Sequence, residues 1–138
     1  MNRNDFQRVS RLRVKEAKVL LDSDCAPGAY YLIGYAVECA LKACIAKQTK
    51  RYDFPDRKQV NDSYTHDLEK LVTLAGLRAE FNSEIQSNPI FEDNWDLVRE
   101  WSEQSRYDDS ISISDARDLY SACTARKNGV LSWIKKWW

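Results

Sequence analysis

The sequence predicts an all-α protein, an up-and-down antiparallel bundle of four main helices plus a shorter one. Only 4 Gly and 3 Pro interrupt the 138 residues, and an all-β domain of this size needs more turn residues than that. Apolar residues recur at helical spacing along most of the chain, with short connections between the periodic segments. The length of residues 1–138 fits a single domain, because domains cluster at roughly 100 to 150 residues.

The composition excludes several classes of protein. The 21 basic residues balance the 21 acidic ones, so no overall charge draws the chain to nucleic acid or to a membrane. An apolar fraction of 43% and a charged fraction of 30% are typical of a soluble globular domain. The longest apolar run, 29–37, is shorter than the roughly 20 residues of a membrane span, and the N-terminus resembles no signal peptide. We therefore expect a cytoplasmic protein without membrane contact.

The four cysteines are Cys25, Cys39, Cys44 and Cys123, and no two of them form a Cys-x-x-Cys pair. Cys39 and Cys44 are five residues apart on a predicted helix, where they point in different directions. We expect four reduced thiols that pack in the core as small hydrophobic groups.

The first half of the chain predicts two long helices and a loop. Residues 4–21 are amphipathic, and the break at 22–28 separates them from a second helix over 27–47. This second helix is apolar around most of its circumference, so it belongs at the centre of the bundle. Residues 48–63 are polar and contain Pro55, which predicts a mobile loop.

The segments that follow are shorter. Thr65 is the predicted cap of a short third helix that ends at Gly76. Residues 77–87 predict one or two weak turns only. The next helix begins at Asn88, before a proline, or at Asn94.

The last segment predicts one long helix. Residues 106–110 interrupt the helical pattern, and Ser112 or Ser114 is the cap. Apolar positions then recur at helical spacing: Ala116, Leu119, Tyr120, Cys123, Val130, Leu131, Ile134 and Trp137.

The aromatic content predicts a homodimer. Five Trp and seven Tyr are more large apolar groups than one small core readily hides, and exposed apolar surface marks interfaces. Charge is also unevenly distributed, since residues 1–21 are basic whereas 92–118 hold nine carboxylates. These faces are either solvated surfaces or complementary surfaces for a second subunit or a partner.

Metal and cofactor chemistry finds little support. A zinc site needs several His or Cys ligands, and the chain has one His. The glycines are scattered, so no loop is built to hold phosphates, and no nucleophile turn is present. Asp108, Asp109 and Asp115 offer a carboxylate site for magnesium, but any acidic loop offers as much. We expect no metal and no cofactor.

His66 is the residue best suited to acid–base chemistry, because histidine is the side chain that changes charge near neutral pH. Its neighbours Tyr64, Thr65 and Asp67 also fit a helix start, where imidazole acts as a structural hydrogen-bonding group. Both interpretations stay open from the sequence, and the structural one is favoured.

Four polar and aromatic residues share one flank of the second helix: Tyr31, Tyr35, Glu38 and Lys42. A carboxylate in such an apolar helix needs a cation, because an unpaired buried charge costs several kcal/mol. Lys42, one turn on, is the local candidate, and Arg106 is the distant one. The flank is interpreted as a structural ion-pair network, with a ligand-binding cleft as the alternative.

Three motifs carry a resemblance to a known family. They are Tyr-Ala-Val-Glu-Cys-Ala-Leu-Lys-Ala at 35–43, His-Asp-Leu-Glu-Lys-Leu at 66–71, and Trp-x-x-Val-x-x-Trp at 95–101 followed by Arg106 and Tyr107. Their order and spacing resemble the HEPN domain superfamily (higher eukaryote and prokaryote nucleotide-binding). The resemblance implies a helical bundle, usually dimeric, of bacterial and archaeal toxin–antitoxin and phage-defence systems. It also implies a nucleotidyltransferase-type antitoxin as a candidate partner.

The resemblance implies less about catalysis. Ribonuclease members of the family carry an Arg and a His separated by four to six residues, which meet at the dimer interface and cut RNA without a metal. Gln59, Val60 and Asn61 stand where that Arg is needed before His66, and Arg57 is too early.

Three functions follow from the sequence. The favoured one is a non-nuclease HEPN-like protein that binds a nucleotide, an RNA or a protein partner. The second is a divergent metal-independent ribonuclease toxin that uses His66 with Arg106 and Tyr107. The third is a non-catalytic dimeric scaffold.

Overall fold

The computed structural model of the protein describes residues 1–51 and 57–138. This part of the chain contains α-helices and one short 3₁₀ helix, and no strand, which confirms the predicted all-α class. The α-helices are α1 (Arg3–Asp22), α2 (Ala26–Arg51), α3 (Arg57–Asp62), α4 (Leu68–Leu74), α5 (Arg78–Ser87), α6 (Pro89–Arg99), α7 (Ile113–Thr124) and α8 (Val130–Ile134). The 3₁₀ helix is Glu103–Tyr107.

Helix α1 begins at a reciprocal cap and packs along α2. The Asn2 side chain accepts a hydrogen bond from the Asp5 N–H at 2.9 Å, and the Asp5 carboxylate accepts one from the Asn2 N–H at 3.1 Å. The bond from the Asn2 N–H is the main cause that lowers the pKa of Asp5, and a hydrogen bond from Arg8 lowers it further. The buried Ser10 hydroxyl donates to the Ala36 carbonyl at 2.8 Å and so joins α1 to α2.

Helix α2 is longer than predicted, because the helical conformation continues past 47 to Arg51. The prediction of a loop over 48–63 is therefore wrong at both ends, since α3 occupies 57–62. The middle of that predicted loop, including Pro55, lies outside the described residues.

Helix α2 is the core of the bundle and packs against α1, α4, α7, α8 and the 3₁₀ helix. By length and composition alone, Ala26–Thr49 would suffice to cross a membrane, although 67% of its most apolar window is buried within the fold. Burial of this kind is what the central helix of a helical bundle requires.

Helix α4 confirms one predicted signal and corrects another. Its cap is Asp67, whose carboxylate accepts from the Lys70 N–H at 3.3 Å, whereas the Thr65 hydroxyl accepts from the Asp67 N–H at 3.2 Å. The helix ends before Gly76, as predicted, and the positive φ of 72° at Gly76 explains why glycine stands there.

Residues predicted to form weak turns are helical. Phe81 of α5 is buried with its ring edge against Trp95 (centroids 4.8 Å apart) and Phe91 (5.8 Å). This aromatic contact supplies the stability that the local sequence of α5 lacks. Asn88 caps α6 by accepting from the Phe91 N–H at 3.2 Å, which selects it over Asn94.

The predicted long last helix is two helices. Ser112 caps α7 by accepting from the Asp115 N–H at 3.0 Å, and α7 ends at Thr124. Helix α8 starts after Gly129, where a Cβ atom would lie 2.2 Å from the Ala125 carbonyl oxygen. The apolar spacing continues across this break, so periodicity alone does not show it.

The cysteines are free thiols, and three of them are buried as expected. Cys25 is exposed at the corner between α1 and α2, so the prediction of a core position is wrong for it. Burial raises the pKa of Cys39 to about 11 and that of Cys44 to about 12, and it raises the pKa of Cys123 as well.

Candidate functional site

The flank of α2 is built as the sequence predicts. Tyr31 and Tyr35 lie half-buried with ring centroids 6.0 Å apart, followed by Glu38, which is only 1% exposed. The Lys42 Nζ lies 3.4 Å from Glu38 Oε2, and its side chain is 15% exposed. Glu38 is therefore the buried, paired carboxylate that the sequence indicated, with the local cation as its partner.

His66 supplies the second partner of Glu38. Its Nδ1 lies 2.8 Å from Glu38 Oε1 and its Nε2 lies 2.7 Å from Glu103 Oε2. The imidazole side chain is 43% exposed, and Asp67, not His66, caps α4. His66 is thus a bridge between two carboxylates from different elements, one on α2 and one on the 3₁₀ helix.

Arg106 lies beside this bridge but does not pair with Glu38. It follows Glu103 by one turn of the 3₁₀ helix, where residues three apart face the same side. The Arg106 guanidinium stands over the exposed Tyr107 ring, 4.8 Å from its centroid. The pKa of Arg106 is raised mainly by Tyr107, with smaller contributions from Glu103 and from a hydrogen bond with Tyr31.

Trp101 holds the start of the 3₁₀ helix against α2. Its indole is buried directly over Gly34, where a Cβ atom would lie 2.2 Å from the ring. The same indole stacks on Tyr31 with centroids 6.1 Å apart. On the other side of the flank, the Arg13 guanidinium lies 5.9 Å from the centroid of Tyr35.

The result is a surface of two adjacent tyrosines with an arginine at each end, which we call the Tyr–Arg strip: Arg13, Tyr35, Tyr31 and Arg106. Surfaces of this kind hold planar and anionic groups by stacking and by charge-assisted hydrogen bonds. The buried part of the site, Glu38 with Lys42 and His66, lies along the same flank of α2.

Two concave surfaces adjoin the site. An open groove of about 560 Å³ between α1, α2 and α3 is lined by apolar groups and by the cations Arg3 and Lys42. A second pocket, of about 480 Å³, is lined by four carboxylates, among them Asp108 and Asp115. Asp108 accepts from the Ser110 N–H at 2.9 Å and the Ser110 hydroxyl at 2.6 Å, and these bonds lower its pKa.

The pocket places only two of the three aspartates suggested for magnesium together, since Asp109 does not line it. Within 1–51 and 57–138, no group of three or more His, Cys, Asp or Glu side chains is arranged to hold a metal ion.

A family model for the HEPN domain matches residues 5–137. The chain belongs to the HEPN family. No curated protein and no solved structure shows a significant match to it. The family thus covers nearly the whole chain, and the helical bundle described above is a HEPN bundle.

In this HEPN protein the structure joins Lys42 and His66 through the buried Glu38 on the flank of α2 that also carries Tyr31 and Tyr35. Arg106 is near Tyr31 and Glu103, and Tyr107 is exposed with Arg106 over its ring. The residues that sequence reasoning missed are Glu103 and Arg13. Glu103 is one of nine carboxylates in 92–118, and no motif distinguishes it from the others. Arg13 lies in the amphipathic segment 4–21, but its contact with Tyr35 depends on how α1 packs against α2.

Proposed function

We infer that this HEPN protein is a cytoplasmic binding module and not a nuclease. It acts as a dimer in a toxin–antitoxin or phage-defence system and takes a phosphate-bearing ligand, a nucleotide or RNA. A nucleotidyltransferase-type antitoxin is the candidate protein partner. The observation that carries the proposal is that both ring nitrogens of His66 are engaged by carboxylates.

Metal-free cleavage of RNA needs a group that removes a proton from a 2′-hydroxyl. In this structure Nδ1 and Nε2 of His66 face Glu38 and Glu103, so Glu103 stands where a substrate hydroxyl would have to approach Nε2. The two carboxylates also oppose the approach of a phosphate group. The ribonuclease spacing is absent before His66, and after Arg106 the positions that would need a His hold Ile111, Ser112 and Ile113, which supports the same conclusion.

The Tyr–Arg strip is the surface proposed to contact the ligand. Tyr31 and Tyr35 offer aromatic faces for a base, and Arg106 offers an exposed guanidinium for a phosphate. The ion pair between Glu38 and Lys42 lies on the same flank of α2, next to the tyrosines of the Tyr–Arg strip, and fixes that part of the helix surface.

Fluorescence anisotropy with a labelled single-stranded RNA of about ten nucleotides, together with calorimetry with ATP, tests this proposal. Arg106→Ala is expected to weaken binding about tenfold, as the loss of one strongly contributing contact does. The matched control is Arg99→Ala, an exposed arginine of α6 that pairs with Asp96 at 3.8 Å. A parent protein that binds neither probe would favour the scaffold function.

The second candidate is the divergent ribonuclease that uses His66, Arg106 and Tyr107. One observation favours it, since Glu103 ties His66 to the 3₁₀ helix that also carries Arg106 and Tyr107. Incubation with total RNA in EDTA, alongside His66→Ala, separates the candidates. We expect no cleavage. Cleavage by the parent that disappears in the variant would establish the nuclease, whereas equal cleavage would show contamination.

Dimer formation is proposed through aliphatic surface rather than through the aromatic surplus. Three of the five Trp are buried, and Tyr64 and Tyr107 are the largely exposed aromatic groups of the described chain. Two pairs of aliphatic residues remain exposed at seven-residue spacing: Leu12 and Val19 on α1, and Ile90 and Leu97 on α6.

Charge complementarity supports a contact between α1 of one protomer and α6 of the other. Exposed basic residues surround the α1 pair, and exposed acidic residues surround the α6 pair. Sedimentation should therefore find a dimer that Leu12→Glu combined with Val19→Glu converts to a monomer. Ala79→Glu, on exposed α5 surface, is the control and should leave the dimer intact.

A further inference from the structure

His66 joins α2 to the 3₁₀ helix through Glu38 and Glu103, which lie 65 residues apart in sequence. Its Nδ1 is 2.8 Å from Glu38 of α2 and its Nε2 is 2.7 Å from Glu103 of the 3₁₀ helix. A carboxylate only accepts hydrogen bonds, and an imidazole nitrogen donates only when it carries a hydrogen. A neutral ring between two carboxylates therefore makes one of these bonds. Both form only when the three groups together hold one more proton.

We propose that Glu38, His66 and Glu103 form a proton-dependent latch that holds the 3₁₀ helix Glu103–Tyr107 against α2. The additional proton belongs to the three groups jointly, since each is hydrogen-bonded to the next. While the proton is present, both hydrogen bonds are charge-assisted and the latch is closed. When the proton leaves to solvent, one bond is lost and the latch opens.

The structure indicates which bond is lost. Glu38 is 1% exposed, is fixed within α2 and keeps Lys42 as a second cation. Glu103 is 26% exposed and stands at the start of a 3₁₀ helix of five residues. Water solvates a released Glu103 at little cost but does not reach Glu38. Deprotonation therefore separates His66 from Glu103 and leaves the pair with Glu38.

Other charged and titratable groups surround the latch. Lys42 lies on the α2 side, Arg106 follows Glu103 on the 3₁₀ helix, and Tyr64 and Asp67 flank His66 in its own segment. Asp67 is occupied with capping α4. Lys42 and Arg106 are the cations next to the carboxylates at either end of the latch, so they act on Glu38 and Glu103 more than on the ring between them.

Opening is a hinged motion, because Trp101 stays buried over Gly34 on the N-terminal side of the 3₁₀ helix. The part that moves carries Arg106 away from Tyr31. Rising pH thereby uncovers the α2 flank, and falling pH covers it, whichever ligand the protein binds.

Nuclear magnetic resonance of the full chain from about pH 5 to about pH 8.5, where histidine changes charge, tests the latch. The reporters are the amides of Ser105 and Asp108, which donate to the Ser102 and Ser105 carbonyls at 3.0 and 3.1 Å. In the parent, the His66 ring and both amides should titrate together. Hydrogen-exchange protection of the amides should fall about tenfold, as expected for losing one charge-assisted bond.

Two variants make the test decisive. His66→Gln replaces the ring with a donor that does not titrate, so the pH dependence of both amides should disappear. Glu103→Ala cuts the latch only on the side of the 3₁₀ helix, so protection should be low at every pH while His66 still titrates. Amides that titrate in His66→Gln as in the parent would overturn the proposal. So would amides that stay constant while the parent's imidazole titrates.

Discussion

Glu38 of α2 and Glu69 of α4 each accept two side-chain hydrogen bonds, yet they differ in burial and in partners. Glu38 is 1% exposed and faces Lys42 and His66. The Glu69 side chain is 39% exposed and accepts from Trp95 Nε1 at 2.7 Å and from Arg78 at 3.1 Å. Glu38 is therefore enclosed by the Lys42 ammonium and the His66 ring, whereas Glu69 is shared between an indole, a cation and water.

The difference teaches what each carboxylate contributes. Water can replace the partners of Glu69, so its bonds act as a surface clamp of modest strength. Water does not reach Glu38, so each of its partners is required, and the loss of the carboxylate leaves the Lys42 ammonium without its counter-charge. A functional site is built around a buried carboxylate such as Glu38, because the partners that compensate its charge also fix its position.

The largest effect is expected for Glu38→Ala, which should lower the free energy of unfolding by about 3 kcal/mol. This is the lower end of the cost of breaking a buried ion pair, because Lys42 and His66 are more exposed than Glu38 and regain some hydration. Urea unfolding measures the change. A curve that overlaps that of the parent would show that the carboxylate contributes nothing to stability.

Gly34→Ala should cost about 1 to 3 kcal/mol, because the new methyl group overlaps the Trp101 indole and forces it from α2. Near-ultraviolet circular dichroism should report the displaced indole. The matched control is Gly28→Ala in the same helix, where the new Cβ lies 3.1 Å from the flexible Leu20 side chain. An unchanged indole signal in Gly34→Ala would contradict the packing.

Glu69→Ala should cost about 1 kcal/mol, the contribution of a hydrogen bond between partly exposed groups. Arg78 keeps its bond of 2.7 Å to the Glu69 backbone carbonyl, which limits the loss. The exposed Glu80→Ala is the control and should be neutral. Equal losses for Glu69→Ala and Glu38→Ala would remove the distinction between the two carboxylates.

The smallest expected effect concerns the reactivity of the four thiols. Iodoacetamide at pH 8 should modify one thiol per folded chain, at the exposed Cys25. Cys39, beside Glu38, has its pKa raised to about 11 mainly by burial and therefore stays protonated. As the pH rises, the Cys39 thiol ionises at a lower pH in the unfolded chain than in the folded protein, so deprotonation favours unfolding. The contribution of Cys39 is complete below about pH 9 and is lost as the pH rises towards about 11.

Mass spectrometry of the labelled chain checks the site of modification. Labelling of Cys39 in the folded protein at the rate of Cys25 would show that the Glu38 region opens to water. The Cys39→Ala variant should be less sensitive to alkaline pH than the parent.

The sequence by itself determined the features that depend on neighbours along the chain. The helix end before Gly76 follows from a residue type that satisfies the end of a helix locally. For the starts of α6 and α7 the sequence left two candidates each, Asn88 or Asn94 and Ser112 or Ser114, and the structure selected the first of each pair. The pair of Glu38 with Lys42 follows from the fixed rise of an α-helix, which places residues four apart on one side. The family resemblance, confirmed over residues 5–137, also rests on such local motifs.

Only the tertiary structure decided which distant segments meet. The stability of α5 comes from Phe81 against the rings of α6, and the break before α8 comes from the close approach at Gly129, neither of which apolar spacing reveals. His66 and Glu103 meet where the Trp101 indole, packed over Gly34, holds the start of the 3₁₀ helix beside α2. Residues remote in sequence are brought together by packing, which depends on the shapes of all the helices at once and not on local spacing.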